Sequence, residues 1–259
     1  MSVDSSTTQQ SPASEHEIGL SVRGLAKAYG GVKAVNGADV DFHHGRINAL
    51  IGPNGSGKTT FFNCVTGMIK ADSGTVTYRG KDITGKPPHK IAHAGIGRSF
   101  QLCRIFPRMS VLDNVLAGVR PHGIGQLLGS GRRAADVKRA QELLARVGID
   151  HLERSDARDI SYGQQKLLEL AGVLMTDPET IMLDEPAGGV NPSLIERISS
   201  LIVELNAEGR TFIVVEHNMD LVMRLSDHVI VFDRGAAIAA GPPSLVQSDP
   251  AVLEAYLGV

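Results

Sequence analysis

The chain has 259 residues, 42% of them apolar and 21% charged. That composition excludes a mostly disordered polypeptide, and the length suffices for a core needing neither disulfides nor a structural metal. Lys and Arg total 26 against 28 Asp and Glu, a net charge of −2, so no global charge draws the chain to nucleic acid or anionic lipid. Cys64 and Cys103 are too few for a disulfide framework or a cysteine-rich zinc site, and read as reduced residues of a cytosolic protein. No run of about 18 apolar residues suits a membrane span.

In chain order, residues 1–17 lack a basic start and an apolar stretch, so they read as a flexible tail and not as a signal peptide. Leu20 to Val22 and Ala38 to Phe42 are expected as short strands around a turn-like Tyr29–Gly31. Arg46 to Ile51 reads as a strand running into glycines. A helix is expected from Lys58 to about Ile69, stopped by Asp72-Ser73-Gly74, with a strand over Thr75 to Tyr78. Apolar residues then recur at helical spacing over Val111 to Val119 and again at Val137, Ala140, Leu144 and Val147, where Gly148 ends the helix. The glycine-rich stretch Pro121 to Gly131 between them reads as a loop, and a third helix spans about Gln164 to Met175. Strands return at Thr180 to Leu183 and Thr211 to Val215, apolar or β-branched nearly throughout as in parallel strands buried on both faces, with a helix over Leu194 to Leu205 between them. Val229 to Phe232 and Ala236 to Ala240 flank a hairpin turn at Asp233-Arg234-Gly235. Strand–helix alternation on both sides of a helical block predicts a parallel α/β core with a helical insertion.

Gly52-Pro53-Asn54-Gly55-Ser56-Gly57-Lys58-Thr59 fits the phosphate-loop pattern G-x-x-x-x-G-K-[ST], between a strand and a helix as that pattern requires. Glycines let backbone N–H groups approach phosphates, and the helix N-terminus adds partial positive charge. Lys58 is placed to reach the β- and γ-phosphates, and the Thr59 hydroxyl to ligate Mg²⁺. Downstream, Thr180-Ile181-Met182-Leu183 ends in Asp184 and Glu185. In a nucleotide site the first acid holds the Mg²⁺ shell and the second accepts a proton from the attacking water.

The order of phosphate loop, Gln101, Ser161-Tyr162-Gly163-Gln164-Gln165, Asp184-Glu185 and His217 resembles the ATP-binding cassette ATPases of membrane transporters, over about Ile18 to Val259. The resemblance implies an α/β fold: a P-loop NTPase RecA-like parallel-sheet core, an N-terminal antiparallel β subdomain and an α-helical subdomain inserted at about 102–175. It implies ATP and Mg²⁺ as cofactors, and a head-to-tail pair of ATPase subunits sandwiching two ATP molecules. Ser161, Gly163 and Gln164 then belong to the segment that meets the partner's γ-phosphate, although Ser161 also suits a plain helix N-cap. Gln101 is implied to contact Mg²⁺ and the attacking water. His217 is implied to contact the γ-phosphate and order Glu185, and Tyr29 to stack on adenine. Thr60 joins the nucleotide-binding set. The segment Pro186 to Pro192 is implied to cross to the opposite subunit, with Asn191 where many cassettes have Asp.

Phe61-Phe62-Asn63, Thr66-Gly67, Ser99-Phe100-Gln101, Glu216-His217-Asn218-Met219-Asp220 and Ala255-Tyr256-Leu257-Gly258 resemble the branch that powers branched-chain amino acid importers. The stretch Pro121 to Arg133 resembles this branch's extra loop. Urea or amide importers and a lipopolysaccharide exporter share most of these strings. The implied partners are two integral-membrane permeases, a second cassette subunit and, indirectly, an extracytoplasmic substrate-binding protein, with the chain peripheral on the cytoplasmic face of the cell membrane and no nucleic acid bound. Gly172 departs from the Arg of most relatives, and Gly in mid-helix costs about 1 kcal/mol against Ala. A soluble cassette ATPase acting on DNA or ribosomes usually carries two cassettes or long coiled-coil arms. A GTPase needs a guanine-reading Asn-Lys-x-Asp string. The chain has none of these.

Overall fold

The computed structural model describes residues 17–99, 105–119 and 133–257. Two sheets organise them. The first is antiparallel, with strand order β2-β1-β4-β5, built from β1 (Ile18–Tyr29), β2 (Val32–His43), β4 (Ser73–Tyr78) and β5 (Lys81–Asp82). The second has the order β10-β9-β3-β8-β7-β6. Its strands β3 (Ile47–Ile51), β6 (Ile96–Arg98), β7 (Thr180–Asp184), β8 (Thr211–Val215) and β9 (His228–Asp233) run parallel, and β10 (Ala236–Gly241) closes the edge antiparallel to β9. Every residue of β3, β7 and β8 is buried, which is why these segments carry no polar alternation.

The helices are α1 (Lys58–Val65), α2 (Pro88–His93), α3 (Val111–Leu116), α4 (Ala134–Val147), α5 (Tyr162–Met175), α6 (Pro192–Ala207), α7 (Met219–Leu225), α8 (Pro243–Gln247) and α9 (Pro250–Leu257). Between β6 and β7 the described residues form α3, α4, a short 3-10 turn and α5. Val111, Val115, Leu144, Leu168 and Leu174 from these helices share one apolar core with Ile198 and Leu201 of α6 and Phe212 of β8. Arg146 of α4 adds paired contacts to Glu204 and Glu208 at the end of α6. A second core lies between the two sheets, where Phe61 of α1 packs against Phe42 and Phe232.

The structure corrects several boundaries. The first two strands are each 12 residues long and not short, because register shifts let one bent hairpin keep pairing from Ile18 to Tyr29. Helix α1 ends at Val65 and not near Ile69. Gly67 turns the chain at φ +70°, and the Met68 and Ile69 amides both fold back onto the Asn63 carbonyl. Ser73 and Gly74 consequently open β4 and do not stop a helix. The sequence reading passed over α2 and β6. It also passed over α7, α8 and α9. Residues 1–16 of the expected tail, Gln101, Cys103 and most of the Pro121–Arg133 loop lie outside the described residues, while Glu17 accepts a hydrogen bond from the His44 amide and Cys64 is buried as a free thiol.

Candidate nucleotide site

The sheet order places β3, β8 and β7 side by side, so their C-terminal ends converge on one edge, where ligands of open α/β sheets bind. From that edge come the phosphate loop after β3, His217 beyond β8, and Asp184 and Glu185 at the end of β7. The phosphate loop is held tightly from behind. A Cβ at Gly52 would stand 2.1 Å from the Phe232 carbonyl oxygen, and one at Gly57 would stand 2.1 Å from that of Ala34. With φ of +148° and +101° at these positions, only glycine fits. The Gly235 amide donates to the Ser56 carbonyl at 2.9 Å, and the Asn36 amide donates to the Gly235 carbonyl at 2.8 Å, so the β9–β10 turn and β2 brace the loop.

Lys58 is buried and folds onto its own loop. Its Nζ donates to the Gly52 carbonyl at 2.7 Å, the Pro53 carbonyl at 3.0 Å and Ser56 Oγ at 3.4 Å. Burial lowers its pKa, while the charges of Glu185 and Asp184 pull it upward, which places both acids within its field. Thr59 is exposed and Thr60 half-buried on the first turn of α1, and Asn54 and Gly55 are exposed at the loop tip. Tyr29 is half-exposed at the end of β1, with the Lys27 ammonium 5.6 Å from its ring centroid.

Asp184 is almost fully buried. Its Oδ2 accepts from the Arg98 guanidinium at 3.0 Å, while its Oδ1 is buried without a hydrogen-bond partner. Burial raises its pKa above the ordinary carboxylate range, against the opposing charge and hydrogen bond of Arg98. An orphaned carboxylate oxygen at the strand edge that also carries the phosphate loop suits a hard cation that takes its other ligands from phosphate and water. Among the described residues no cluster of three or more His, Cys, Asp or Glu could hold a metal alone. Arg98 also donates to Thr66 Oγ1 at 2.6 Å and lies over the Phe62 ring, tying the end of β6 to α1.

Glu185 is half-buried and holds φ at +50°, a left-handed conformation costly for a residue with a side chain. Three backbone or side-chain contacts keep it there. Its amide donates to the Val215 carbonyl at 2.9 Å, and its carbonyl accepts from the Gly188 amide and from Lys166 Nζ, each at 3.0 Å. His217 is exposed just beyond β8. The buried Glu216 carboxylate beside it accepts from the Ala187 amide at 2.8 Å and from the His217 and Asn218 amides at 3.1 and 3.4 Å. It thereby ties the two loops that carry Glu185 and His217.

Ser161 caps α5 in a reciprocal box: its Oγ accepts from the Gln164 amide and its own amide donates to Gln164 Oε1. The helix-cap reading of Ser161 is therefore correct as far as it goes. Ser161 and Tyr162 are exposed, Gly163 and Gln164 half-buried, at the N-terminal end of α5. Arg98 and Lys166 are not singled out by the sequence, and Glu216 and Tyr256 appear there only inside the branch strings, without a role. Burial raises the Tyr256 phenol pKa and a hydrogen bond with the Gly52 backbone lowers it, which places α9 against the phosphate loop.

Fold and loop together define a phosphate-loop nucleotide-binding protein of the α/β class. A family model described as ABC transporter matches residues 35–188, and one described as branched-chain amino acid ATP-binding cassette transporter matches residues 238–259. A probable branched-chain amino acid transport ATP-binding protein LivG of Archaeoglobus fulgidus is 42% identical, the match covering 92% of this chain and 95% of the relative. The high-affinity branched-chain amino acid transport ATP-binding protein LivG of Escherichia coli (strain K12) is 40% identical, over 92% and 97%. The solved nucleotide-free ATP-binding cassette from an ABC transporter is 37% identical with a TM-score of 0.84, over 94% of this chain and 100% of that one. An ADP-bound cassette matches with a TM-score of 0.83 at the same identity. The chain belongs to the ABC transporter family, as one of its ATP-binding, ATP-hydrolysing cassettes.

Proposed function

We propose that the chain powers a membrane importer of branched-chain amino acids, working from the cytoplasmic face of the cell membrane. It does so in a head-to-tail pair with a second cassette subunit, beneath two integral-membrane permeases fed by an extracytoplasmic substrate-binding protein. The single observation that carries the substrate class is the match of residues 238–259 to the branched-chain model, and the names of the relatives agree with it. Among the described residues no helix is long and apolar enough to cross a membrane, which leaves translocation to partner chains.

In this reading the backbone N–H groups along Gly52 to Thr60, Pro53 having none, and the Lys58 ammonium hold the phosphates, and Tyr29 stacks on the base. Thr59 and Asp184, with Gln101 as the resemblance implies, would hold Mg²⁺, which would supply charge neutralisation for the phosphates. Glu185 accepts the proton of the attacking water, and His217 orients the γ-phosphate and Glu185. Ser161, Gly163 and Gln164, at the N-terminal end of α5, meet the γ-phosphate bound by the other subunit, where the helix end favours negative charge. ATP bound by both subunits closes the pair, and hydrolysis removes that bridge. The permeases sit against a mostly apolar cavity of about 320 Å³ between the core and the helical block, lined by Ile91, Ile96, Arg98, Phe106, Leu168 and Gly172 among others. Phe106 is more than half exposed there.

The test is to purify the Glu185→Gln chain from native membranes in ATP and identify its companions by mass spectrometry. Two multi-span permeases with a sister cassette are expected; export permeases, or ribosomal or DNA-bound companions without a membrane protein, refute the importer reading. Turnover of Glu185→Gln should fall by about 10²–10⁴-fold, the range for losing a general base, with ATP still bound, whereas Lys58→Ala should lose ATP binding. Normal turnover in Glu185→Gln removes the assignment of Glu185.

A further inference from the structure

Lys166 is buried, with only 7% of the residue exposed, and has no place in the chemistry above. A buried ammonium is costly unless it is paired, so its partner identifies its role. That partner is the carbonyl of Glu185, at 3.0 Å. The bond is charge-assisted, and it grips the carbonyl of a residue held in a left-handed conformation. The Gly188 amide is the second donor to the same oxygen. The Lys166 charge also reaches Asp184, where it favours the carboxylate.

Lys166 does not act from an isolated position. It lies one turn along α5 from Tyr162, and its ammonium is 5.6 Å from the Tyr162 ring centroid. The loop after Glu185 leans on the same ring: a Cβ at Gly189 would stand 3.4 Å from Tyr162 Cε1. Next to it, a Cβ at Gly163 would stand 2.5 Å from Leu194 Cδ2, so the first turn of α5 lies close against the first turn of α6. The first turns of α5 thus touch the β7–α6 connection at its beginning through Lys166, in its middle through Tyr162 and at its end through Gly163.

We propose that Lys166 is a positioning residue for hydrolysis, which fixes the Glu185 backbone to the first turns of α5 and moves Glu185 with them. The proposal rests on the reading of Glu185 as general base and of the α5 N-terminus as the part facing the second subunit. It adds that whatever seats α5 on the partner's nucleotide also sets the aim of this subunit's own Glu185. Loss of the bond leaves the phosphate loop untouched, so binding and turnover should separate.

The experiment measures ATP turnover and equilibrium ATP binding in the full-length chain within its assembled complex. Lys166→Met, close in length and without the donor, should lower kcat about 10-fold, because small misplacements of a reacting group are expensive, while KM and ATP affinity stay within about 2-fold. Lys166→Arg, which keeps a donor, should recover most of that loss. Tyr162→Ala, at an exposed position, should give a smaller fall in kcat with the same unchanged KM, and serves if Lys166→Met does not fold. Unchanged kcat in Lys166→Met overturns the proposal. So does a fall in kcat matched by an equal fall in ATP-binding stoichiometry, which is the mark of a purely structural lysine. Glu185→Gln is assayed in parallel: normal turnover there refutes the general-base reading, whereas strong loss there with an unaffected Lys166→Met refutes only the role of Lys166.

Discussion

Replacing Glu216 by Gln changes one oxygen for an NH₂ group in a fully enclosed site, and the consequence follows from the donors around it. Glu216 is 1% exposed, and its two oxygens face three backbone amides: Ala187 on one side, His217 and Asn218 on the other. Glutamine has one acceptor oxygen, so whichever way its amide turns, its NH₂ meets an N–H group. Hydrogen bonds to a charged group contribute about 1.5–3 kcal/mol each, and a buried donor left without a partner costs about 1–3 kcal/mol. Relief from burying a carboxylate offsets part of this, leaving an expected loss of about 2–3 kcal/mol. At about 2–4 °C per kcal/mol for a chain of this size, the melting temperature should fall by about 4–12 °C. Thermal unfolding of the nucleotide-free chain reads that term. Because Ala187 follows Glu185 closely and His217 is itself one of the donors, kcat should fall about 10-fold while ATP affinity, set by the untouched phosphate loop, stays within about 2-fold. A variant that melts within about 1 °C of the parent and turns over normally refutes the claim that this carboxylate ties the two loops together.

Two further outcomes are expected. At Gly172, in the interior of α5, a Cβ would meet nothing within 4 Å. Gly172→Ala should therefore gain about 1 kcal/mol from helix propensity and raise the melting temperature by about 2–4 °C; a lower melting temperature contradicts the open cavity beside it. The carboxyls of Asp72, Asp82, Asp177 and Glu208 are held below their ordinary range, chiefly by hydrogen bonds with Lys27, Thr84, Arg210 and Arg146 respectively. Such groups bind fewer protons folded than unfolded, so their stabilisation is complete above the unfolded carboxylate range and is lost as pH falls through their lower folded values. A denaturation series from pH 6 downward should show stability falling below about pH 4, less steeply in high salt because these side chains are exposed; stability rising over that interval contradicts the assignment.

What the sequence makes legible here is what lies contiguous in it. The phosphate loop, the apolar strand ending in Asp184-Glu185 and the strand before His217 are each a handful of adjacent residues. Their convergence follows from the rule that parallel strands present their C-terminal ends to one edge. Strand β6 escapes the same reading because three residues, Ile96–Arg98, carry no period; they are a strand only through pairing with Thr180–Met182 far along the chain. The end of α1 escapes because the apolar pattern continues to Ile69 while Gly67 turns the backbone.

The residues that aim the chemistry are hidden for a common reason. Arg98, Lys166 and Glu216 are charged side chains in otherwise ordinary surroundings, and each acquires its meaning from a partner on another strand or helix: Asp184, the Glu185 carbonyl, and the Ala187 amide. All three partners lie in the four residues from Asp184 to Ala187. One cation pairs with the Asp184 carboxylate, a second holds the strained backbone of Glu185, and an anion fixes the loop just beyond. The elements they reach are β6 beside the interdomain cavity, α5 on the helical block and β8 before His217. A movement of any of these three elements is therefore delivered to the same four residues, and the Asp-Glu motif is the place where permease contact, partner nucleotide and bound phosphate would be read together.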